Sequence, residues 1–182
     1  MKNILLFIWE MSKIVIIALL IVMPIRYFIF QPFFVRGASM EPNFQNGNYL
    51  IVDEISYRLS SPKRGEVVVF KYPLNPSQRY IKRIIGLPGE TVEVKDGKVN
   101  VYNPNGVPQI LDELNYLPES AATLGNVGFQ LADSEYFVLG DNRVASSDSR
   151  SWGVLPRENI IGKVFLRVWP FAALAMVGTP AY

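Results

Sequence analysis

Glu66-Val67-Val68-Val69-Phe70 and, shortly after, Tyr80-Ile81-Lys82-Arg83-Ile84-Ile85 are the two runs whose reading decides the fold class. Both are dense in β-branched and aromatic residues. Gly65 bounds the first, and Gly86-Leu87-Pro88-Gly89 closes the second, so both read as strands. Outward from them, Asn48-Tyr49-Leu50-Ile51-Val52, Thr91-Val92-Glu93-Val94 and Tyr136-Phe137-Val138-Leu139 repeat the pattern. Asn46-Gly47 and Asp96-Gly97 supply hairpin-type turns. No long amphipathic helix pattern follows residue 31. The sequence predicts a mainly β, antiparallel-sheet domain over 31–182. Residues 97–132, rich in Asn, Pro and Gly, form an irregular insertion or small subdomain within it. The tail from Val164 to Val177 reads as a closing strand and an apolar end, because Arg167 and Pro170 break it and too few residues follow for a second span.

The N-terminal part has a different character. From Ile4 to Phe30 it is almost wholly apolar, interrupted by Glu10 and Lys13, which lie three apart and can partly neutralise each other on neighbouring helical turns. Residues 1–13 read as a short cytoplasmic N-terminus and 14–30 as one transmembrane helix. Those 17 residues sit at the short end of the spanning range. Arg26 can snorkel to the interface. A cleavable leader is disfavoured, because Gln31-Pro32-Phe33-Phe34 is too bulky for a small-residue cleavage site. A surface helix is disfavoured because apolar residues cover every face of 14–23. Lys2 and Lys13 on one side balance Arg26 and Arg36 on the other, so charge barely sets the orientation.

Composition narrows the chemistry. The 182 residues carry a net charge of +2, with Lys and Arg scattered, which excludes a nucleic-acid partner. There is no cysteine, so thiol nucleophiles, disulfides and thiolate metal sites are out. There is no histidine either, so a Ser–His–Asp triad is impossible and the commonest zinc ligand is missing. Acid–base work near neutral pH falls to Lys, Asp, Glu or Tyr.

Three segments offer such chemistry. In Val35-Arg36-Gly37-Ala38-Ser39-Met40-Glu41-Pro42, small residues precede a serine and a proline stiffens the chain after it, as an exposed nucleophile needs. The same residues suit a plain turn. In the strand 80–85, Lys82 shares a face with Tyr80 and Ile84, while Arg83 points oppositely. Burial there lowers a lysine pKa and makes it a base; an exposed strand edge would leave it a solvated lysine. In Gly140-Asp141-Asn142-Arg143-Val144-Ala145-Ser146-Ser147-Asp148-Ser149-Arg150, Ser146 can orient an amine, and Asp148 with Arg150 can stiffen the loop. A solvated turn fits that composition equally.

Together, in this order and spacing, these segments resemble the type I signal peptidases. Ser39-Met40-Glu41-Pro42 is similar to the family's nucleophile box, Arg64-Gly65-Glu66-Val67-Val68-Val69-Phe70 to its strand box, and Lys82 through Glu90 to its lysine box. Gly140-Asp141-Asn142-Arg143 with Ser146, Asp148, Ser149 and Arg150 is similar to the last box. The resemblance covers the apolar N-terminal segment and nearly everything from Phe30 to Pro170 except the insertion. It implies a serine endopeptidase in which Ser39 attacks and Lys82 is the general base. Ser146 would hydrogen-bond Lys82, Asp148 and Arg150 would brace the site, and the Ser39 N–H would serve the oxyanion. Gly37 stands where some members carry a serine that completes the oxyanion hole. Phe34, Tyr80 and Ile84 would form shallow pockets for small side chains. Substrates would be exported preproteins, cut after a small residue at the end of the signal peptide, with Ala-x-Ala before the cut.

The resemblance further implies a single-pass plasma-membrane protein, acting as a monomer, with its catalytic domain outside and lying on the lipid bilayer through Phe30, Phe33 and Phe34. No metal or organic cofactor is called for. Two other classes remain. A repressor-type Ser–Lys autoprotease would carry a DNA-binding domain where this chain has an apolar segment. A non-catalytic membrane-tethered β module would have no reason to hold Ser39, Lys82, Ser146 and Asp148 together.

Overall fold

The computed structural model describes residues 2–28, 30–109 and 111–180. Helix α1 (Lys2–Phe28) leads directly into β1 (Phe30–Phe34), then β2 (Tyr49–Asp53), a short α2 (Ser56–Leu59), β3 (Val67–Tyr72) and β4 (Asn75–Gly86). The chain continues through β5 (Thr91–Lys95), β6 (Lys98–Tyr102), β7 (Pro108–Gln109), β8 (Val127–Gln130) and β9 (Glu135–Leu139). A one-turn α3 (Ser149–Trp152), β10 (Leu155–Pro156), β11 (Ile160–Trp169) and β12 (Ala175–Met176) complete it.

Every strand pairing is antiparallel. The large sheet runs β1-β2-β11-β3-β4-β9-β10, with β12 beside β11; the small sheet runs β7-β6-β5-β8. β3 lies between β11 and β4, and its Val67 to Phe70 are buried on both faces. Val67 and Val69 join one core with Val35, Met40, Phe44 and Ile81, while Val68 and Phe70 join another with Ile84 and Val138. An uninterrupted β-branched run is what a strand covered on both sides requires.

Several expectations change. Residues 97–132 are not irregular throughout: β6 and β8 pair with β5, and β7 with β6, around Val92, Val94, Val101 and Leu131. Asp96 and Gly97 both have positive φ, so this turn forms a tight hairpin and carries the alternation of Val99 and Val101 with it. Asn46-Gly47 makes no two-residue hairpin; a loop of residues 35–48 joins β1 to β2, and Gly47 closes it by donating to the Val35 carbonyl at 3.0 Å.

The helix begins at Lys2 rather than at residue 14, and Lys13 Nζ meets Glu10 Oε1 at 2.7 Å, as their spacing suggested. Among the described residues no helix is long and apolar enough to cross a membrane. The expected span over 14–30 includes residue 29 and the side chains of residue 21 and residues 23–30, which lie outside the described set.

Candidate active site

Ser39 sits in the loop after β1, on the rim of a cleft of about 670 Å³. Buried Val35 and Met40 pin the chain on either side of it, and Phe44 adds a third apolar anchor. Gly37 has φ +87°, a conformation that L side chains rarely adopt. Its N–H donates to Asn46 Oδ1 at 3.0 Å, which ties the approach to Ser39 across the loop. Beyond Ser39 the chain turns at once: Glu41 N donates to the Ala38 carbonyl and Phe44 N to the Met40 carbonyl. The Ser39 hydroxyl is thereby held out on a short, braced turn. The Ser39 N–H donates to no described residue.

β4 delivers Lys82 to the same place. Lys82 pairs in register with Val68 and Arg83 with Val67, so the two basic side chains leave the strand on opposite faces. Lys82 is 3% exposed. Its Nζ donates to Ser39 Oγ at 2.7 Å and to the Ile81 carbonyl at 2.8 Å, and lies 5.5 Å from the Tyr80 ring centre. Burial pushes the Lys82 pKa down from 10.5 to about 8, against the opposing pull of the Asp148 and Asp141 carboxylates. At pH 7 such an amine is neutral in roughly one molecule in ten, against roughly one in three thousand for an ordinary lysine.

The loop after β9 closes the site. Gly140 allows an approach that no side chain would permit: a Cβ there would collide with Ser146 Oγ and with the Ser39 carbonyl oxygen. Asp148 is fully buried, accepts from Arg150 Nε and Nη2 at 2.8 Å each, and takes the Gly140 N–H at 3.1 Å. Ser149 Oγ accepts from Val138 N. Asp148 and Arg150 thus lie together and fix the turn that carries Gly140. Ser146 sits beside Gly140, but its Oγ is buried and has no hydrogen-bond partner among the described residues. The expected Ser146–Lys82 hydrogen bond is not formed; the bonds of Lys82 Nζ go to Ser39 and to its neighbour's carbonyl.

Of the three expected pocket residues, Phe34 and Tyr80 line the cleft. Ile84 does not. It is 0% exposed, packed in the core beside Val68, Phe70 and Val138, because β9 pairs with β4 at this level and covers it. Ile81 and Phe33 line the cleft in its place.

Some supporting residues had no assigned part. Asp141 binds Arg83 through two contacts, 2.8 Å to Nε and 2.6 Å to Nη2, with both side chains buried, and also accepts from Asn43 Nδ2 at 2.8 Å. Asn142 N donates to the Ser39 carbonyl and its Nδ2 to the Ala38 carbonyl, each at 3.1 Å. Arg143 reaches from the Gly140 carbonyl to Glu113 and Thr123 of the insertion, and Arg150 Nη1 reaches the Leu124 carbonyl. The available signal was Arg83 itself: an arginine turned inward from a central strand needs a buried carboxylate.

The family model for signal peptidase, peptidase S26, matches residues 8–169. A probable signal peptidase I-2 of Synechocystis is 40% identical over 173 residues, spanning 92% of this chain and 76% of the relative. Signal peptidase IB of Staphylococcus aureus is 35% identical over 178 residues, 90% of each chain. A crystal structure of a signal peptidase I from Enterococcus faecalis has 32% identity and a TM-score of 0.46, covering 57% of this chain and 97% of that one. By a family model that matches most of its length, and by relatives that align with nine-tenths of it, the chain belongs to the type I signal peptidases, serine peptidases of family S26.

Proposed function

We propose that Ser39 and Lys82 form a Ser–Lys dyad that removes signal peptides from exported preproteins, cutting after a small residue. The observation that carries this is the 2.7 Å contact between Ser39 Oγ and the amine of a buried lysine whose pKa falls to about 8. Once the ammonium loses its proton, the contact can reverse, with the Ser39 hydroxyl donating to the amine. Ser39 Oγ then attacks the scissile carbonyl carbon while Lys82 takes the hydroxyl proton. The C–N bond breaks, Lys82 returns the proton to the leaving nitrogen, and the acyl part stays as an ester on Ser39. Water, deprotonated by Lys82, hydrolyses that ester.

The free Ser39 N–H is the nearest donor for the oxyanion. The Gly37 N–H is already engaged by Asn46, so a second donor from that position would have to be released first. Ser146, packed against Gly140 with a hydroxyl that no described residue bonds, is the residue to orient the Lys82 amine. Asp148 and Arg150 act as positioning residues through Gly140. Phe34, Tyr80 and Ile81 give the cleft the apolar walls that small side chains before the cut require.

A membrane setting is supported by exposed apolar side chains. Phe34 and Tyr49 are register partners, as are Tyr49 and Trp169, so the three stand abreast on one sheet face. All three are exposed, and Phe171 packs edge-on to Trp169 at 4.9 Å. Aromatics massed like this suit a bilayer interface. The described apolar side chains of α1, from Ile4 to Val22, are exposed as well, as an outward-facing enzyme tethered by this helix needs.

The test uses an Ala-x-Ala preprotein. Ser39→Ala and Lys82→Met each abolish cleavage, the double variant is no worse than either, and wild-type kcat/KM rises with pH through about 8. Lys82→Met retaining more than about a tenth of wild-type kcat/KM sinks the dyad, since a general base contributes ~10²–10⁴-fold.

A further inference from the structure

We propose that a second cleft, beyond Ser39 from the one just described, receives the part of the substrate that follows the cut, and that Glu41, Leu124 and Val144 set its preference. The inference rests on the Ser–Lys reading above. The walls of the first cleft, residues 32–37 on one side and 78–81 on the other, both run out at Ser39 and Lys82. A peptide laid between them presents its carbonyl at Ser39 and has to continue past it. The chain that follows Ser39 opens the second cleft, of about 370 Å³, with Glu41 and Pro42 on one wall and Asn142 to Val144 on the other.

The catalytic loop is the partition between the two. Ala145 and Ser147 line the first cleft; Asn142 and Val144 line the second. Asn142 fastens this partition to the nucleophile's own backbone through the Ala38 and Ser39 carbonyls. The two clefts therefore flank the loop that Asn142 ties to Ser39, the first lined by Ser39 itself and the second by the residues that follow it from Glu41.

The second cleft has a definite chemistry. Leu124 and Val144 are 63% and 76% exposed, so apolar surface awaits a partner. Asp141 is taken by Arg83, and Arg143 by Glu113. Glu41 is half-buried and its carboxylate makes no hydrogen bond or ion pair with a described residue, which leaves one uncommitted carboxylate. When the C–N bond breaks, the leaving nitrogen receives its proton from Lys82 and becomes an amine that gains a further proton from water. The released segment thus begins with an ammonium. An apolar cleft with a single carboxylate suits that end, favours neutral or basic side chains just after the cut, and disfavours acidic ones.

The test uses the full chain in nonionic detergent and peptides sharing one Ala-x-Ala segment, with Lys or Glu at the second and third positions after the cut. Wild type should prefer the Lys peptide by roughly two- to fivefold in kcat/KM, as expected for a partly exposed charge pair. Glu41→Gln should bring that ratio close to one, and Glu41→Lys should invert it. The ratio is internal to each variant, so a loss of folded protein cancels. Leu124→Ser with Val144→Ser should lower kcat/KM roughly three- to tenfold on a long peptide relative to one ending a single residue after the cut. An unchanged Lys-to-Glu ratio in Glu41→Gln, or an equal loss on long and short peptides, overturns the inference and leaves the dyad standing. Failure of wild type to cut any of the peptides overturns the dyad, and the inference with it.

Discussion

Replacing Lys82 with methionine should make the protein more resistant to unfolding near neutral pH while destroying its chemistry. The lysine is 3% exposed and its pKa is lowered from 10.5 to about 8, chiefly by burial. That difference corresponds to about 3 kcal/mol of penalty on the charged form. Below pH 8 the folded and unfolded chains both hold the proton, so wild type bears the whole penalty. Between pH 8 and 10.5 the unfolded chain still holds it while the folded chain releases it, so wild-type stability rises with pH. Above 10.5 the penalty is gone. Methionine has no such dependence, and other titrating groups cancel in the difference between the two proteins.

Methionine also forfeits the hydrogen bonds to Ser39 Oγ and the Ile81 carbonyl, about 1 kcal/mol each. The net advantage at pH 7 is therefore about 1 kcal/mol in favour of the variant, and by pH 10.5 wild type should lead by about 2 kcal/mol. Urea unfolding of both full-length proteins in nonionic detergent, followed by tryptophan fluorescence at pH 7 and 10.5, measures this crossover. A stability gap constant to within about 0.5 kcal/mol across that range would refute the idea that burial makes Lys82 a base.

Two further outcomes follow from the loop at residues 140–150. Gly140→Ala should lower kcat/KM by about 10²-fold or more at unchanged KM, since its Cβ would displace the Ser39 carbonyl and Ser146, and a misplacement of about 1 Å suffices for such a loss; circular dichroism checks that the fold persists. Asp141→Asn leaves Arg83 buried and short of its counter-charge, so unfolding free energy should drop by about 3–5 kcal/mol in urea titration. The same change removes a carboxylate that raises the Lys82 pKa, so the rising limb of kcat/KM should move to lower pH in whatever protein stays folded.

The legible parts of the sequence were those in which one local signal sufficed. Val67 to Phe70 read as a strand from their β-branched run, and Asp96-Gly97 as a hairpin turn, and both form as read. Lys82 stood out because a chain without histidine leaves few bases. Ile84 went astray because alternation fixes which face a side chain takes but not where a neighbouring strand arrives: β9 covers β4 from Arg83 onward and leaves Tyr80 open to the cleft. Arg83 and Asp141 lie 58 residues apart, and nothing local to either names the other. Residues 97–132 hid three strands because two of them are short and the composition around them is that of a loop. The Ser146 hydroxyl depends on rotation about one bond, which no residue pattern encodes.

The arginine links between the insertion and the catalytic loop bear on how far such an enzyme can be pared down. Residues 111–124 have the look of dispensable ornament, yet Glu113 and Thr123 hold the buried guanidinium of Arg143, and the Leu124 carbonyl holds that of Arg150. Excising that stretch would strand the Arg143 cation, almost wholly out of water and a few residues from the nucleophile's support, and would take one carbonyl from Arg150, which keeps Asp148. A miniaturised version would have to shed Arg143 together with the segment and supply Gly140 with another brace. Lineages that lengthen or shorten this region are under the same constraint, so changes of size there and changes at Arg143 should travel together.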